Sequence, residues 1–437
     1  MGSGVCPSTL ISTRITLGRA DMLASSVIQE ARRAGIGVEA ITAVGSIRRF
    51  APEIGDVALL GVVPRPDHPH VLKAFRRLPL VLEVRTESAS SITAYTALGL
   101  VTLHLTPPEQ AGAALVWYTG ARAHVSQLQT RAGRLGFQFQ DGAMLHPTGT
   151  PASCASEEGL YATLHLPFIA PELRSGEREI RAAERGELPR LVSQAHIRGD
   201  LHTHSTWSDG RDTIADMVGA AKQLGYEYLA ITDHSGRAAA SRTLAAGDVS
   251  RQRDEIDAIR ESVRDIDVLH GIEVDIMKAG RLDFVDAVLE KFDIVLASLH
   301  DPRSDDGAWL TERYLRAIRH PLVNVITHPA NRTPGRSSGY ALDFDRLFEA
   351  AAETGTAMEI DGAPGHLDMD GDIARRAAAA GVTTTISSDC HRMDALGRQM
   401  QFGVGTARRG WIEPQHVLNT RAVSDVRAFV AHKRTRG

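Results

Sequence analysis

The sequence predicts an α/β protein whose C-terminal half is a parallel sheet wound with helices, preceded by a smaller α+β region. Three observations predict it. From Ile197 onward, short apolar runs alternate with stretches whose apolar residues recur at helical spacing, the pattern of successive βα units. Seven such runs can be placed, at 199–203, 228–233, 268–274, 294–299, 323–327, 357–360 and 383–387. Each ends in residues able to bind a cation: His202 with His204, Asp233-His234, Glu273, His300, His328, Glu359 with Asp361, and Asp389 with His391. A parallel barrel gathers its strand C-termini around one mouth, so these ends would converge on a single pocket.

The whole chain sets the bounds. Its 437 residues are enough for two or three domains, and 43% hydrophobic with 23% charged residues is ordinary for a globular protein. No apolar run approaches a membrane span and no signal segment opens the chain, which leads to the expectation of a cytoplasmic protein. The three cysteines, Cys6, Cys154 and Cys390, have no CxxC spacing, so a thiolate zinc cluster is excluded and histidine must supply any metal site. A net charge of -4 excludes coating of nucleic acid by bulk electrostatics, leaving local patches as the route to such contacts.

In chain order, Leu23, Val27, Ile28 and Ala31 predict an amphipathic helix over 19–35, ended by Gly35. Strands are expected at 41–44 and 57–63. Between them, Gly45-Ser46-Ile47-Arg48-Arg49 is either a solvated turn or a phosphate cradle of backbone N–H groups and guanidinium forks. A helix is expected over 123–135, and short strands at 137–139 and 142–145. The segment 171–186, rich in Glu and Arg, is expected to be a solvated connector. Then comes Asp200-Leu-His-Thr-His-Ser-Thr-Trp-Ser-Asp-Gly210, where the two-residue repeat of a strand puts His202 and His204 on one face ahead of Asp209. Taken alone, the pair is either two half-exposed histidines or two metal ligands. The helix expected at 213–224 stops at Gly225. Cys390, between Asp389 and His391, should point to the opposite face and pack.

Two family resemblances rest on these residues. Gly45-Ser46-Ile47-Arg48-Arg49, Gly55-Asp56 and Trp117-Tyr118-Thr119-Gly120 resemble the nucleotidyltransferase-like palm of family X DNA polymerases. That palm needs three carboxylates to hold two magnesium ions, and the resemblance implies a further strand along 100–108. Only Asp56 is kept, with Ala58 and Thr102 where the second and third aspartates belong, so the resemblance implies a palm that has lost polymerase activity. Gly45, Ser46, Arg49, Tyr118 and Gly120 would be left to bind a nucleotide or DNA, with Arg48, Arg122, Arg131 and Arg134 as further phosphate contacts. The C-terminal half resembles the PHP (polymerase and histidinol phosphatase) domain, a distorted (β/α)7 barrel around three metal ions. Its nine ligand positions fall on His202, His204, Asp209, His234, Glu273, His300, His328, Asp389 and His391. Mixed nitrogen and oxygen ligation suits Mn, Zn or Fe.

The order palm, thumb, barrel and the Phe402-Gly403-Val404-Gly405-Thr406 tail resembles bacterial family X polymerases along essentially the whole chain. This implies a palm at 1–111, a thumb at 112–170, a linker at 171–196 and a PHP domain at 197–437. It also implies that the helix-hairpin-helix portion preceding the palm in full-length members is missing. The expected activity is manganese-dependent 3′ to 5′ exonuclease or related 3′-end and abasic-site processing in DNA repair, on DNA 3′ ends or gapped DNA. Glu273 and Asp389 would be the shared carboxylates, and His234 and His391 the groups assisting the leaving oxygen. The rival readings are a histidinol-phosphatase-like enzyme acting on small phosphoesters, and a non-catalytic binder of DNA ends or nucleotides. Departures from the family pattern fall at Asp301-Pro302-Arg303, at Asp361 in place of Asn, and at His366 in place of Arg.

Overall fold

The computed structural model describes residues 14–238, 240–300 and 306–436, which form two compact units, Met1–Gly186 and Glu187–Gly437. In the first unit, the helix Leu17–Arg33 buries Leu17, Ala20, Leu23, Ala24, Val27 and Ala31, the face that helical spacing predicts. A five-stranded sheet follows, in the order Ile41–Ala43, Val57–Val62, Gly99–Thr106, Ser91–Thr96 and Val81–Glu87. Its central pair, Val57–Val62 with Gly99–Thr106, is parallel and sets Ala58 directly against Thr102. Thr102 also faces Thr93, with the two hydroxyls 3.0 Å apart. The helix Ala111–Thr119 covers that face. Ala114 packs with Val44, Ala58 and Leu60, and Tyr118 lies against the same cluster. The strands at 81–87 and 91–96 lie outside the expected elements: the edge strand Val81–Glu87 is mostly exposed and carries no buried alternation, whereas Ser91–Thr96 does alternate, burying Ile92, Ala94 and Thr96.

The rest of the unit comprises the helix Arg122–Arg134 and the hairpin Gln138–Gln140 with Ala143–Leu145, turned at Gly142 with φ +76°. The expectation of a solvated connector at 171–186 is corrected here. Arg174 and Glu179 are fully buried, and Glu179 opens a helix running to Arg185. Arg174 Nη1 donates to Glu157 Oε1 at 2.6 Å, while Glu179 Oε1 lies 2.6 Å from His124 Nδ1 and accepts the Gly176 N–H at 2.6 Å. The two buried charges of this segment are thus each paired, with Glu157 and His124, which is how a buried ion is made tolerable, while Glu177, Arg178, Arg181, Glu184 and Arg185 stay exposed.

The second unit holds seven parallel strands, β1 (Gly199–Asp200), β2 (Tyr228–Ile231), β3 (Asp267–Asp275), β4 (Ile294–Ser298), β5 (Val325–Ile326), β6 (Ala357–Asp361) and β7 (Thr384–Ser387), paired in sequence order. The last strand returns to the first through a parallel bridge between Thr203 and Cys390 and the His204 N–H to Cys390 carbonyl bond at 2.9 Å. The ring thus closes as the seven expected runs require. Asp200 reinforces the seam, accepting from the backbone N–H groups of His202 and Ser388. Of the surrounding helices, Ile214–Gln223 opens with a reciprocal cap between Thr213 and Asp216. Leu396–Arg409 contains the Phe402–Thr406 segment of the expected tail. At the strand N-termini, Val426 and Val430 of the final helix pack against Tyr228, Ile294 and Ala357, plugging the end opposite the mouth. Cys390 is fully buried in the core, as expected. Among the described residues no helix is long and apolar enough to cross a membrane. Asp301-Pro302-Arg303 lies outside the described residues.

Candidate metal centre

Side-chain alternation carries His202 and His204 inward together at the end of β1, and both are fully buried. Their Nε2 atoms sit 3.1 Å apart, and His204 Nε2 is also 3.1 Å from Asp389 Oδ1. The loop that follows returns sharply to bring Asp209 over the mouth. At Gly210 a Cβ would stand 2.6 Å from the Ser205 carbonyl oxygen, so only glycine fits. Asp209 Oδ1 lies 3.1 Å from His391 Nε2 and 3.6 Å from His234 Nε2. From β3, Glu273 reaches the centre of the cluster: Oε2 is 2.7 Å from His234 Nδ1 and 3.5 Å from His202 Nε2, and Oε1 is 2.9 Å from His328 Nε2 and 3.7 Å from His300 Nε2.

All nine expected ligand positions are therefore brought together. Their donor atoms form three overlapping cation-capable groups, His204 with Asp209, His234 and His391; His202 with His204 and Asp389; and His234 with Glu273 and His300. His328 joins through Glu273.

The donors fit divalent cations better than they fit one another. His204 Nδ1, Asp209 Oδ1, His234 Nδ1 and Glu273 Oε2 are buried without a hydrogen-bond partner among the described residues. Several are close to an opposite charge yet misaligned for a hydrogen bond. Each unsatisfied buried group costs on the order of 1–3 kcal/mol, and a cation taking lone pairs from several at once removes that cost. Two of the nine also hold left-handed backbone, His328 at φ +25° and Asp389 at φ +48°, a strain of about 1–3 kcal/mol each that concentrates at functional sites.

Without a cation, the charges balance internally. Burial alone would raise Glu273, but His234, His202 and His300 outweigh it and hold its carboxyl well below the usual range. Asp389 is lowered in the same way, chiefly by His202 against the effect of burial. Burial pushes His204 down to about 3, with His234 and His391 adding to the shift. His391, opposed by burial, is lifted to about 9 by Asp209 and Asp389.

Around these donors stand further acidic residues that lie outside the nine ligand positions. Glu359 Oε1 is 2.8 Å from His202 Nδ1, and Asp275 Oδ1 is 2.9 Å from His300 Nδ1. Asp233, pointing away from His234, accepts from Ser205, Ser208 and Gln252 and so pins the loop that presents Asp209. The signal for Asp275 was present in Glu273-Val274-Asp275, where alternation puts both carboxylates on one face. Of the family departures, Asp361 is fully buried with Oδ1 accepting the Ala363 N–H at 2.6 Å, and His366 stacks on His328 at 5.4 Å.

The five expected palm residues also cluster, within the first unit. Gly45 takes φ +68° and opens the short helix Gly45–Arg48 that carries Ser46, and the Arg49 guanidinium donates to the Thr119 carbonyl. Tyr118 stacks on His104 with ring centroids 4.0 Å apart, and the Gly120 N–H closes its helix on Val116. Arg48 forks onto Glu157 at 2.8 and 2.7 Å, and Arg131 is bound to Glu184 and the Leu164 carbonyl, so these two of the four further expected phosphate contacts have internal partners.

Residues 200–360 match the PHP domain family, and residues 114–175 match the DNA polymerase beta thumb. The DNA polymerase/3′-5′ exonuclease PolX of Bacillus subtilis is 34% identical over 391 residues, 88% of this chain and 68% of that protein. A probable phosphatase of Caldanaerobacter subterraneus is 30% identical over 248 residues, 54% of this chain and 92% of its own length. A probable phosphatase of Shewanella sp. MR-4 is 33% identical over 208 residues, 45% of this chain and 78% of its own.

Proposed function

The chain belongs to the PolX family of DNA polymerase/3′-5′ exonucleases with a PHP domain, and from that premise we propose that it is a metal-dependent phosphoesterase acting on DNA 3′ ends, with no polymerase activity. The observation that carries this reading is the convergence of nine histidine and carboxylate side chains, drawn from the ends or following loops of six of the seven barrel strands, on one mouth. We assign His202, His204, Asp209, His234, Glu273, His300, His328, Asp389 and His391 to three divalent ions, Mn, Zn or Fe. Bound there, such ions lower the pKa of a water toward neutrality and take up charge on phosphoryl oxygens.

The protein groups supply the rest. Glu273, whose two oxygens face four histidines, and Asp389, which faces His202, His204 and His391, are the shared carboxylates that hold the cluster together. Fully buried His202 and His204 form its floor and exclude water from below. His391, with a third of its side chain exposed, and His234 lie on the substrate side and assist departure of the leaving oxygen.

Loss of polymerase activity is supported by Ala58 and Thr102, neighbours in the sheet that offer no carboxylate for a pair of magnesium ions. The domain limits of 1–111, 112–170, 171–196 and 197–437 are part of the same proposal. A second reading, a phosphatase of small phosphoesters, is favoured by the probable phosphatases that match the barrel over most of their own length. Turnover on 3′-recessed, 3′-phosphorylated and abasic DNA, set beside a panel of phosphomonoesters, separates the two. Rapid cleavage of a small phosphate with DNA untouched favours the second.

A further inference from the structure

Glu359 stands on β6, fully buried, and its carboxylate has two partners on different strands. One oxygen, Oε1, lies 2.8 Å from His202 Nδ1 beyond β1, and the other, Oε2, accepts the backbone N–H of His328 beyond β5 at 3.0 Å. One side chain thus ties two strand ends together across the mouth. Both contacts bear on where donor atoms point. With His202 Nδ1 committed to the carboxylate, Nε2 is the nitrogen turned to the cluster, 3.1 Å from His204 Nε2 and 3.6 Å from Asp389 Oδ1. With its N–H anchored, His328 is held at φ +25° while Nε2 reaches Glu273. Glu359 itself belongs to none of the three cation-capable groups.

We infer that Glu359 is a positioning residue that sets the ring of His202 and the backbone of His328 together, so that two metal donors depend on one carboxylate. The inference rests on the reading that these histidines hold cations. An orienting carboxylate of this kind is worth about 10–100-fold in metal affinity.

The test is titration of the full-length, metal-free protein with Co2+, reading affinity and the visible ligand-field spectrum, for wild type and Glu359→Gln. Glutamine keeps the volume and one acceptor but cannot accept from both partners; if its NH2 instead donates to His202 Nδ1, the ring proton moves to Nε2, the nitrogen turned to the cluster. The expected result is affinity weakened about 10–100-fold together with a changed spectrum. Should Glu359→Gln fail to fold, Glu359→Asp keeps the charge while withdrawing it from both partners, and the same loss is expected. Equal affinity and superimposable spectra overturn the inference, as does a wild type that binds no Co2+. Failure of the nuclease reading looks different, because Co2+ binding and its dependence on Glu359 then persist while DNA is left intact.

Discussion

Ala58 and Thr102 are register partners on the two parallel strands at the centre of the N-terminal sheet, the two positions at which the resemblance to a polymerase palm leads to the expectation of catalytic carboxylates. Ala58 is buried under Ala114 and Tyr118, and Thr102 shares its hydroxyl with Thr93. Neither position offers a carboxylate, and both side chains are packed or hydrogen-bonded within the unit. The wild-type protein is therefore expected to incorporate no nucleotide on a primed template with Mg2+ or Mn2+. Ala58→Asp should also destabilise the unit, since an unpaired buried carboxylate costs several kcal/mol, and its unfolding temperature should fall by about 5 °C or more. Template-dependent extension by the wild type contradicts this.

Metal removal should be felt in stability as well as in activity. If the barrel holds its ions, Mn2+ at about 100 times its dissociation constant adds about 2.7 kcal/mol to the folded state for each site. Chelation should lower the melting temperature of the barrel, and His204→Ala should abolish the Mn2+-dependent rise. A melting temperature indifferent to Mn2+ in the wild type argues against a cation site.

The pair Asp209 and His391 fixes a pH dependence. In the metal-free protein Asp209 is held at about 2, where His391 and His234 outweigh burial, and His391 at about 9. A raised histidine contributes stability that is fully present below its unfolded value of about 6.5 and lost as pH rises through about 9. A depressed aspartate contributes above its unfolded value and loses that contribution as pH falls through about 2. The metal-free protein should thus lose stability between about pH 6.5 and 9, and His391→Ala should flatten that slope. Because a cation must displace the His391 proton, Mn2+ affinity should rise with pH over the same interval, by up to about tenfold per unit for one proton. Calorimetric titration at pH 6.5, 7.5 and 8.5 measures it, and an affinity that falls with pH contradicts the assignment.

The barrel and its nine donors were legible because strand alternation and strand ends are local features. His202-Thr203-His204 shows its shared face in three residues, and even β5, only Val325–Ile326, sits within an apolar run. Less visible were partners fixed by closure of the ring. Glu359 meets His202 across 157 positions of sequence, and no spacing rule connects them. Charge is misleading where it is satisfied internally, as at Arg174 and Glu179, two members of a segment that reads as solvated in composition, each of which is buried against an opposite charge. The exposed edge strand Val81–Glu87 is illegible for the opposite reason, having no buried face to leave a pattern.

Hydrolysis of phosphoesters at DNA 3′ ends is the activity proposed for the nine-donor centre. Its most direct test is single-turnover degradation of 3′-recessed DNA with Mn2+ by the wild type and by Asp389→Ala, with DNA binding measured alongside. Removing a shared carboxylate should cost at least about 4 kcal/mol of transition-state stabilisation, a loss of about 10³-fold in rate, with DNA affinity nearly unchanged. Stepwise shortening from the 3′ end by the wild type alone is the expected result. Equal rates for the two proteins, or DNA left intact while a small phosphomonoester is turned over, would contradict it.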